Sequence, residues 1–244
     1  MTHVLWMILI SAAMASELVG GGPAGVPEKV KPLVLAEIEL GNCVPKKGPQ
    51  GEREELLTRA AAEKSDLPKE EILARLIFSE TLSTGYWQGR CESPSVAAMM
   101  EGIGWGVIKR VHAKKKAHQD PYYEAIFAPK QFSTSFSSAK VNPFAAAFLC
   151  PLKSEDYLQK TKLKGSAAPI YQQAQKVAQK IIATYETTGL NPRYAKISNF
   201  FYPRSEYFGE MRPSWAPNAV PGKNKGYVNI LNAASNPCIE FYQP

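Results

Sequence analysis

Helix signals recur along the middle of this chain with no alternation of strand and helix between them, which argues against a parallel sheet wrapped by helices. The longest helical pattern covers about residues 168–187 and stops at Gly189, a C-cap signal. Another opens at the capping pair Ser65/Asp66, with Pro68 in its first turn and Glu70 and Glu71 nearby, and runs to about Leu82. A third follows Ser93-Pro94 and extends from Val96 to about His112. Further helices are expected over 52–64 and 122–127, with polar loops at 83–93, 113–121 and 131–142. From residue 191 the chain is rich in Pro, Gly, Asn and aromatics, and a single short strand is expected at 238–242. The expected fold class is therefore mainly α (α+β), with a small β or irregular C-terminal part.

The 244 residues suit one globular domain of ordinary size, or one domain with a small appendage, and 45% apolar against 21% charged residues excludes disorder for most of the chain. Lys and Arg outnumber Asp and Glu by 29 to 22, a net +7 that favours polyanions: nucleic acid, anionic membrane or acidic cell-wall polymer. Three His leave little room for a multi-His metal site, so neither a metal nor a cofactor is expected.

Val4 to Ala15 is apolar apart from Ser11, too short to span a bilayer, and ends at the small-x-small sequence Ala13-Met14-Ala15. The reading is a cleaved secretory signal over 1–15, despite a weak n-region; an uncleaved anchor and a buried N-terminal helix are the alternatives. A Gly/Pro-rich N-terminal extension over 16–50, held by Cys43, leads into the main domain at 51–244. Export makes Cys43, Cys91, Cys150 and Cys238 two disulfides in an oxidising compartment, with three connectivities open. The expected location is the bacterial periplasm, the exterior or the cell wall, as a monomer with no stable membrane insertion after signal cleavage.

Glu80 is the most informative side chain. It lies four residues after Leu76, three after Ile77 and seven after Leu73, and so continues their apolar stripe. It also sits in the last helical turn, where the dipole disfavours negative charge. Burial and the dipole both raise a carboxyl pKa, and a carboxylic acid that keeps its proton near neutrality is what a general acid requires. The alternative is a frayed helix end whose side chain reaches water.

Several segments resemble a known family. Ile72-Leu73-Ala74-Arg75-Leu76-Ile77-Phe78-Ser79-Glu80-Thr81 resembles the "LARxIxxEA" signature of the SleB-type cell-wall hydrolases, within the lysozyme-like superfamily. Gly102-Ile103-Gly104-Trp105-Gly106-Val107-Ile108-Lys109-Arg110-Val111 is similar to that family's small-residue helix. Gln131-Phe132-Ser133, Asn199-Phe200-Phe201-Tyr202, Pro213-Ser214-Trp215-Ala216 and Ile239-Glu240-Phe241-Tyr242 are similar to later family segments, in order. Lys109 stands where the family often has Asn, and Leu82-Ser83-Thr84-Gly85-Tyr86 replaces "RGE"-like residues. The resemblance implies a lysozyme-like helical domain that cuts the β-1,4 bond between N-acetylmuramic acid and N-acetylglucosamine in peptidoglycan. It places the catalytic glutamate on Glu80.

That chemistry needs either a second carboxylate or the sugar's own 6-hydroxyl. Glu101 is the candidate second carboxylate, facing a cleft or facing solvent; Glu92, Glu124, Glu206 and Glu210 are looser ones. Gln131 and Ser133 are candidate sugar hydrogen-bonders, and Tyr202 and Trp215 candidate walls, joined by Tyr207, Trp87 and Trp105; core packing is the other reading for each aromatic. Gly102, Gly104 and Gly106 point to close approach of a helix or a sugar, and Lys114-Lys115-Lys116 to a solvated basic loop. The partner is peptidoglycan, possessed of acetylated or de-N-acetylated sugars; nucleic acid is not expected, since no groove-reading motif is present. A Cys or Ser hydrolase lacks a His-bearing signature, with His112 and His118 the sole mature bases of that type. The competing class is a non-catalytic wall-binding or inhibitor protein that retains the fold.

Overall fold

The computed structural model describes residues 67–114, 121–128, 132, 143–151, 167–203, 212–216, 226–228, 230–231 and 236–243. The expected signal, the extension, the helix at 52–64, Cys43, His118, Gln131, Ser133, Glu206, Tyr207 and Glu210 lie outside them. The described residues are mainly helical: α1 (Lys69–Ser83), α2 (Val96–Lys114), α3 (Pro121–Ile126), α4 (Pro143–Leu149) and α5 (Ala167–Thr188). Two strands, β1 (Asn199–Phe201) and β2 (Glu240–Tyr242), complete them.

α1 is the inner helix. It packs against α5, α4 and α2, and every residue from Glu71 to Ser83 is buried. An apolar stripe is thus too modest a description, because all faces are covered. Its start also differs from the expectation. Pro68 occupies the N-cap position with extended ψ and supplies no side-chain cap, and the helix begins at Lys69; the expected capping pair Ser65/Asp66 lies outside the described residues. Glu70 and Glu71 in the first turn complement the dipole instead. At the other end the Ser83 hydroxyl donates to the Glu80 carbonyl at 2.7 Å and the Thr84 hydroxyl to the Thr81 carbonyl at 2.7 Å. These hydroxyls satisfy carbonyls that the ending helix leaves without amide partners. A short 3₁₀ turn, Tyr86–Gln88, follows in the segment expected to be loop.

α5 buries Ile170, Tyr171, Ala174, Val177, Ala178, Ile181, Ile182 and Tyr185, a helical spacing that faces α1 and α2. It ends where expected: Gly189 takes φ +79, and its amide donates to the Tyr185 carbonyl at 2.9 Å. α4 was not foreseen. Its sequence, PFAAAFL, has no polar face to set a period, and its last two carbonyl-bearing residues, Phe148 and Leu149, serve Arg75 of α1.

The two strands pair antiparallel with Phe200 opposite Phe241, so the expected C-terminal strand has an unforeseen partner. An isolated two-stranded ribbon is marginal in water and needs a surface to pack on. α2 provides it through its glycines. A Cβ at Gly102 would stand 2.8 Å from Phe241 Cε1 and 2.7 Å from Ile230 Cδ1, and one at Gly106 3.2 Å from Ile197 Cγ2. At Gly104 it would lie 2.5 Å from Ile181 Cδ1 and 3.0 Å from Ile77 Cδ1. All three glycines therefore serve close packing of protein on protein. The disulfide Cys91–Cys238, spanning 147 positions, joins the tail to the loop after α1. Beside it Glu92 and Cys238 exchange backbone hydrogen bonds with the opposing segment: Glu92 N to Asn236 O at 3.0 Å and Cys238 N to Glu92 O at 3.2 Å. Cys150 is disulfide-bonded too.

No helix among the described residues is long and apolar enough to cross a membrane. Gly102→Ala tests the ribbon's seat. Helix propensity favours Ala by about 1 kcal/mol, whereas forcing a methyl against a pinned ring costs about 1–3 kcal/mol. Thermal unfolding should therefore show a lower Tm; an unchanged or higher Tm would mean that Phe241 gives way freely.

Candidate active site

Glu80 sits in the last turn of α1 and is 1% exposed. The Tyr202 hydroxyl, just beyond β1, donates a hydrogen bond to its Oε2. Tyr202 is itself buried, and its hydroxyl is pushed well above the usual tyrosine range. Desolvation is the main cause, the Glu80 charge and hydrogen bond add to it, and a hydrogen bond with the Ser83 side chain opposes it. The phenol thus keeps its proton and remains a donor to the carboxylate.

Arg110, on the last turns of α2, completes the group. Its Nη2 and Nε donate to the Ser198 carbonyl at 2.9 and 3.3 Å, and Nη2 also reaches Asn199 Oδ1 at 3.4 Å. The guanidinium lies 4.9 Å over the Phe132 ring. Phe132 holds φ +50, rare for a residue with a Cβ, and packs 5.8 Å from Phe200, which lies 5.9 Å from Tyr202. Nη1 of Arg110 is buried with no hydrogen-bond partner. Burial lowers the guanidinium's pKa to about 10, while the charge of Glu80 works the other way. Arg110 therefore stays cationic at neutral pH, within the field of the Glu80 carboxylate.

A second polar cluster lies nearer the start of α1. Arg75 Nε donates to Glu71 Oε1 at 2.6 Å and Nη1 to the Leu149 carbonyl at 2.6 Å. Glu71 also accepts from the Tyr171 hydroxyl and from Gln175 Nε2 at 3.3 Å. Here both charges are paired and hydrogen-bonded, which is how a buried ion pair is tolerated. This cluster ties α1 to α4 and α5.

Of the candidates read from sequence, Glu80 and Tyr202 meet directly. Glu101 instead accepts from Lys180 Nζ at 2.7 Å through Oε1 and from the Tyr194 hydroxyl at 2.6 Å through Oε2. Burial pushes its pKa up, but the bonds from Lys180 and Tyr194 and the charges of Lys180 and Arg193 outweigh it, and the net shift is downward. Trp215 is 42% exposed and stands edge-on to Tyr242, 5.8 Å away. Tyr242 belongs to a cluster with Glu240 and Arg212, whose guanidinium lies 4.6 Å over Phe201. Trp105 is buried and stacked on Tyr194 at 6.0 Å, a core role. Lys109 donates to Ser198 Oγ at 2.7 Å. Sequence reasoning missed Arg110 and Ser83. A signal for Arg110 existed: it lies four residues after Gly106 and three after Val107, both buried, at the edge of the packed face of α2, where a cation is unusual.

No metal-holding group of three His, Cys, Asp or Glu occurs among the described residues. No protein-family model, curated protein or solved structure matches the chain.

Tyr202→Phe deletes the hydroxyl and leaves a buried carboxylate oxygen short of a donor, a loss of about 1–3 kcal/mol. Chemical denaturation would register it, and equal stability would show that the bond contributes nothing. Alkaline pH acts through the same group. Below pH 10 a tyrosine is protonated folded or unfolded; above it the unfolded chain ionises first, since Tyr202, Tyr171 and Tyr194 (up to about 12) all resist. Stability should fall as pH rises beyond about 10, with phenolate absorbance from these residues appearing together with unfolding.

Proposed function

We propose that this chain is an exported, peptidoglycan-cleaving glycosidase with a lysozyme-like helical domain, in which Glu80 is the general acid. The reading rests on one observation above all: a carboxyl at the end of a helix buried from Glu71 to Ser83, removed from water and oriented by a phenol that does not ionise. Glu80 donates its proton to the glycosidic oxygen between N-acetylmuramic acid and N-acetylglucosamine as that bond breaks. The oxocarbenium-like centre is then captured by water or by the sugar's own 6-hydroxyl, and the proton returns to Glu80 from the attacking hydroxyl. The commitment of both Glu101 oxygens to Lys180 and Tyr194 favours the route that needs one carboxylate. Because Glu80 is buried, the departing oxygen must take the place that the Tyr202 hydroxyl holds. The net +7 suits an acidic wall polymer, acetylated or de-N-acetylated.

A second reading draws on the same burial. Glu71 and Arg75 show that α1 uses polar clusters simply to tie helices together, and a Glu80 of that kind would belong to a non-catalytic wall-binding or inhibitor protein.

Digestion of purified sacculi separates the two. Wild-type protein should release soluble fragments, and Glu80→Gln, checked for an intact fold by circular dichroism, should lose about 10²–10⁴-fold in rate. Mass spectrometry of the fragments then separates anhydro-muramyl ends from reducing ends. Binding to sacculi without release by the folded wild type would favour the second reading and end the first.

A further inference from the structure

Two cations meet at the start of β1 with no acid between them. Lys109 Nζ donates to Ser198 Oγ at 2.7 Å, and Arg110 donates to the Ser198 carbonyl through Nη2 at 2.9 Å and Nε at 3.3 Å. Nη2 also reaches Asn199 Oδ1 at 3.4 Å. Every one of these acceptors is neutral, and neither cation meets a carboxylate among the described residues. Other enclosed cations differ: Arg75 rests on Glu71 and Arg212 on Glu240, each at 2.6 Å. Positive charge held partly out of water is costly until negative charge answers it.

The donors of Arg110 show where that answer can come from. Nε uses its N–H and Nη2 both of its own, whereas Nη1 is buried and has no acceptor for either hydrogen. Such an orphaned donor is uncommon in a folded protein. The guanidinium lies 4.9 Å over the Phe132 ring, and Phe132 holds φ +50. Backbone strain of that kind gathers at ligand clamps.

We propose that Arg110, supported by Lys109, is a carboxylate-binding residue, and that its ligand is the lactyl carboxylate of a muramic acid whose stem peptide has been removed. This assignment rests on the glycosidase reading for the identity of the ligand, but not for the unanswered charge at the site. In a strand that carries its peptides the lactyl carboxyl is an amide and is neutral; an amidase that removes the peptide turns it into an anion. One oxygen of that anion accepts from the two open N–H groups of Nη1, a charge-assisted bond, and Lys109 adds its field. The place suits a sugar chain bound at Glu80. Asn199 and Tyr202 are three positions apart, at most about 10 Å of extended chain. The rings of Phe132, Phe200 and Tyr202 follow one another at 5.8 and 5.9 Å, leading from the guanidinium to the phenol that bonds Glu80. Nη1 is closed to water in this state, so binding includes a local opening. Phe132, whose ring covers the guanidinium and whose backbone is strained, is the residue placed to give way.

The first test is binding to the full-length protein. N-acetylmuramic acid, its methyl ester and acetate are titrated while the Arg110 Nε–Hε resonance, assigned by its loss in Arg110→Met, is followed by NMR. The acid should move this resonance. The ester keeps the shape and loses the charge, and should bind about 10–100-fold more weakly. Equal affinities for acid and ester, acetate binding as tightly as N-acetylmuramic acid, or a resonance that no ligand moves would each overturn the proposal. Should Arg110→Met not fold, calorimetry of acid against ester on the wild type decides alone.

The second test uses sacculi. Strands stripped by an amidase should be cut with a kcat/KM about 10-fold above that for untreated strands, the worth of one such bond. Arg110→Met should erase this ratio, which a purely structural defect would leave intact while lowering both rates; a ratio that survives in Arg110→Met overturns the proposal. A wild type that binds N-acetylmuramic acid through Arg110 but cleaves nothing keeps the site and removes the glycosidase. Cleavage at equal rates on stripped and untreated strands keeps the glycosidase and removes the site.

Discussion

The arrangement depends on one constraint: α1 is buried on every side and yet carries charge. Glu71, Arg75 and Glu80 are each below a tenth exposed. An ionised group out of water is tolerated where opposite charge and hydrogen bonds replace what water supplied. The helix meets that demand differently at its two ends. Near its start the demand is met by contact: Arg75 and Glu71 pair, and carbonyls of α4 and side chains of α5 take the remaining hydrogen bonds. Near its end it is met at a distance, with a phenol on the carboxylate and a cation held elsewhere by neutral atoms. The first arrangement is closed and rigid. The second leaves one guanidinium nitrogen, Nη1 of Arg110, buried without a hydrogen-bond partner, the kind of feature that concentrates at functional sites.

This difference is also why Glu80, rather than Glu71, is the group to assign to chemistry. Glu71 is engaged by Arg75 of its own helix and by Tyr171 and Gln175 of α5, so its oxygens are committed to holding helices together. Under the proposed reading, a substrate oxygen would take the place beside Glu80 that the Tyr202 hydroxyl holds. The distinction lies in hydrogen-bond geometry and would be invisible to a count of buried acids.

Much of the helical frame was legible in the sequence, since long periodic segments carry their own signal. The ends of α2 and α5 fall within two residues of expectation, and Gly189 stops α5 as its φ demands. What escaped was whatever depended on distant partners. PFAAAFL has no period because α4 is apolar along its length, and Asn199-Phe200-Phe201 is too short to alternate; both acquire structure from what they pack on. The start of α1 was misread because an attractive capping pair precedes Pro68, which itself flanks the first turn. For the candidate site, the stripe argument expected a buried Glu80, and Glu80 is buried, although from Glu71 to Ser83 α1 has no exposed face to contrast with it. The same argument applied to α2 would have found Arg110, but a basic residue near a helix C-terminus passes for ordinary dipole compensation.

The environment of Glu80 is assembled from the far end of the chain. Tyr202 is 122 positions from Glu80, and its strand is held by a partner that ends two residues before the C-terminus. Neither strand would persist alone. They persist because Phe200 and Phe241 fill the space that Gly102 and Gly106 leave on α2, and because Cys91–Cys238 ties β2 to the loop that follows α1. That loop begins at the residues whose hydroxyls terminate α1 beside Glu80. The disulfide, the glycine face and the helix end therefore act on one point. Any loosening of the ribbon shifts Tyr202 and the Ser198–Asn199 anchor of Arg110 together, and so changes the hydrogen bond and the field on Glu80 at once. Packing in the core and the hydrogen bond on the candidate acid are in this way a single mechanical unit.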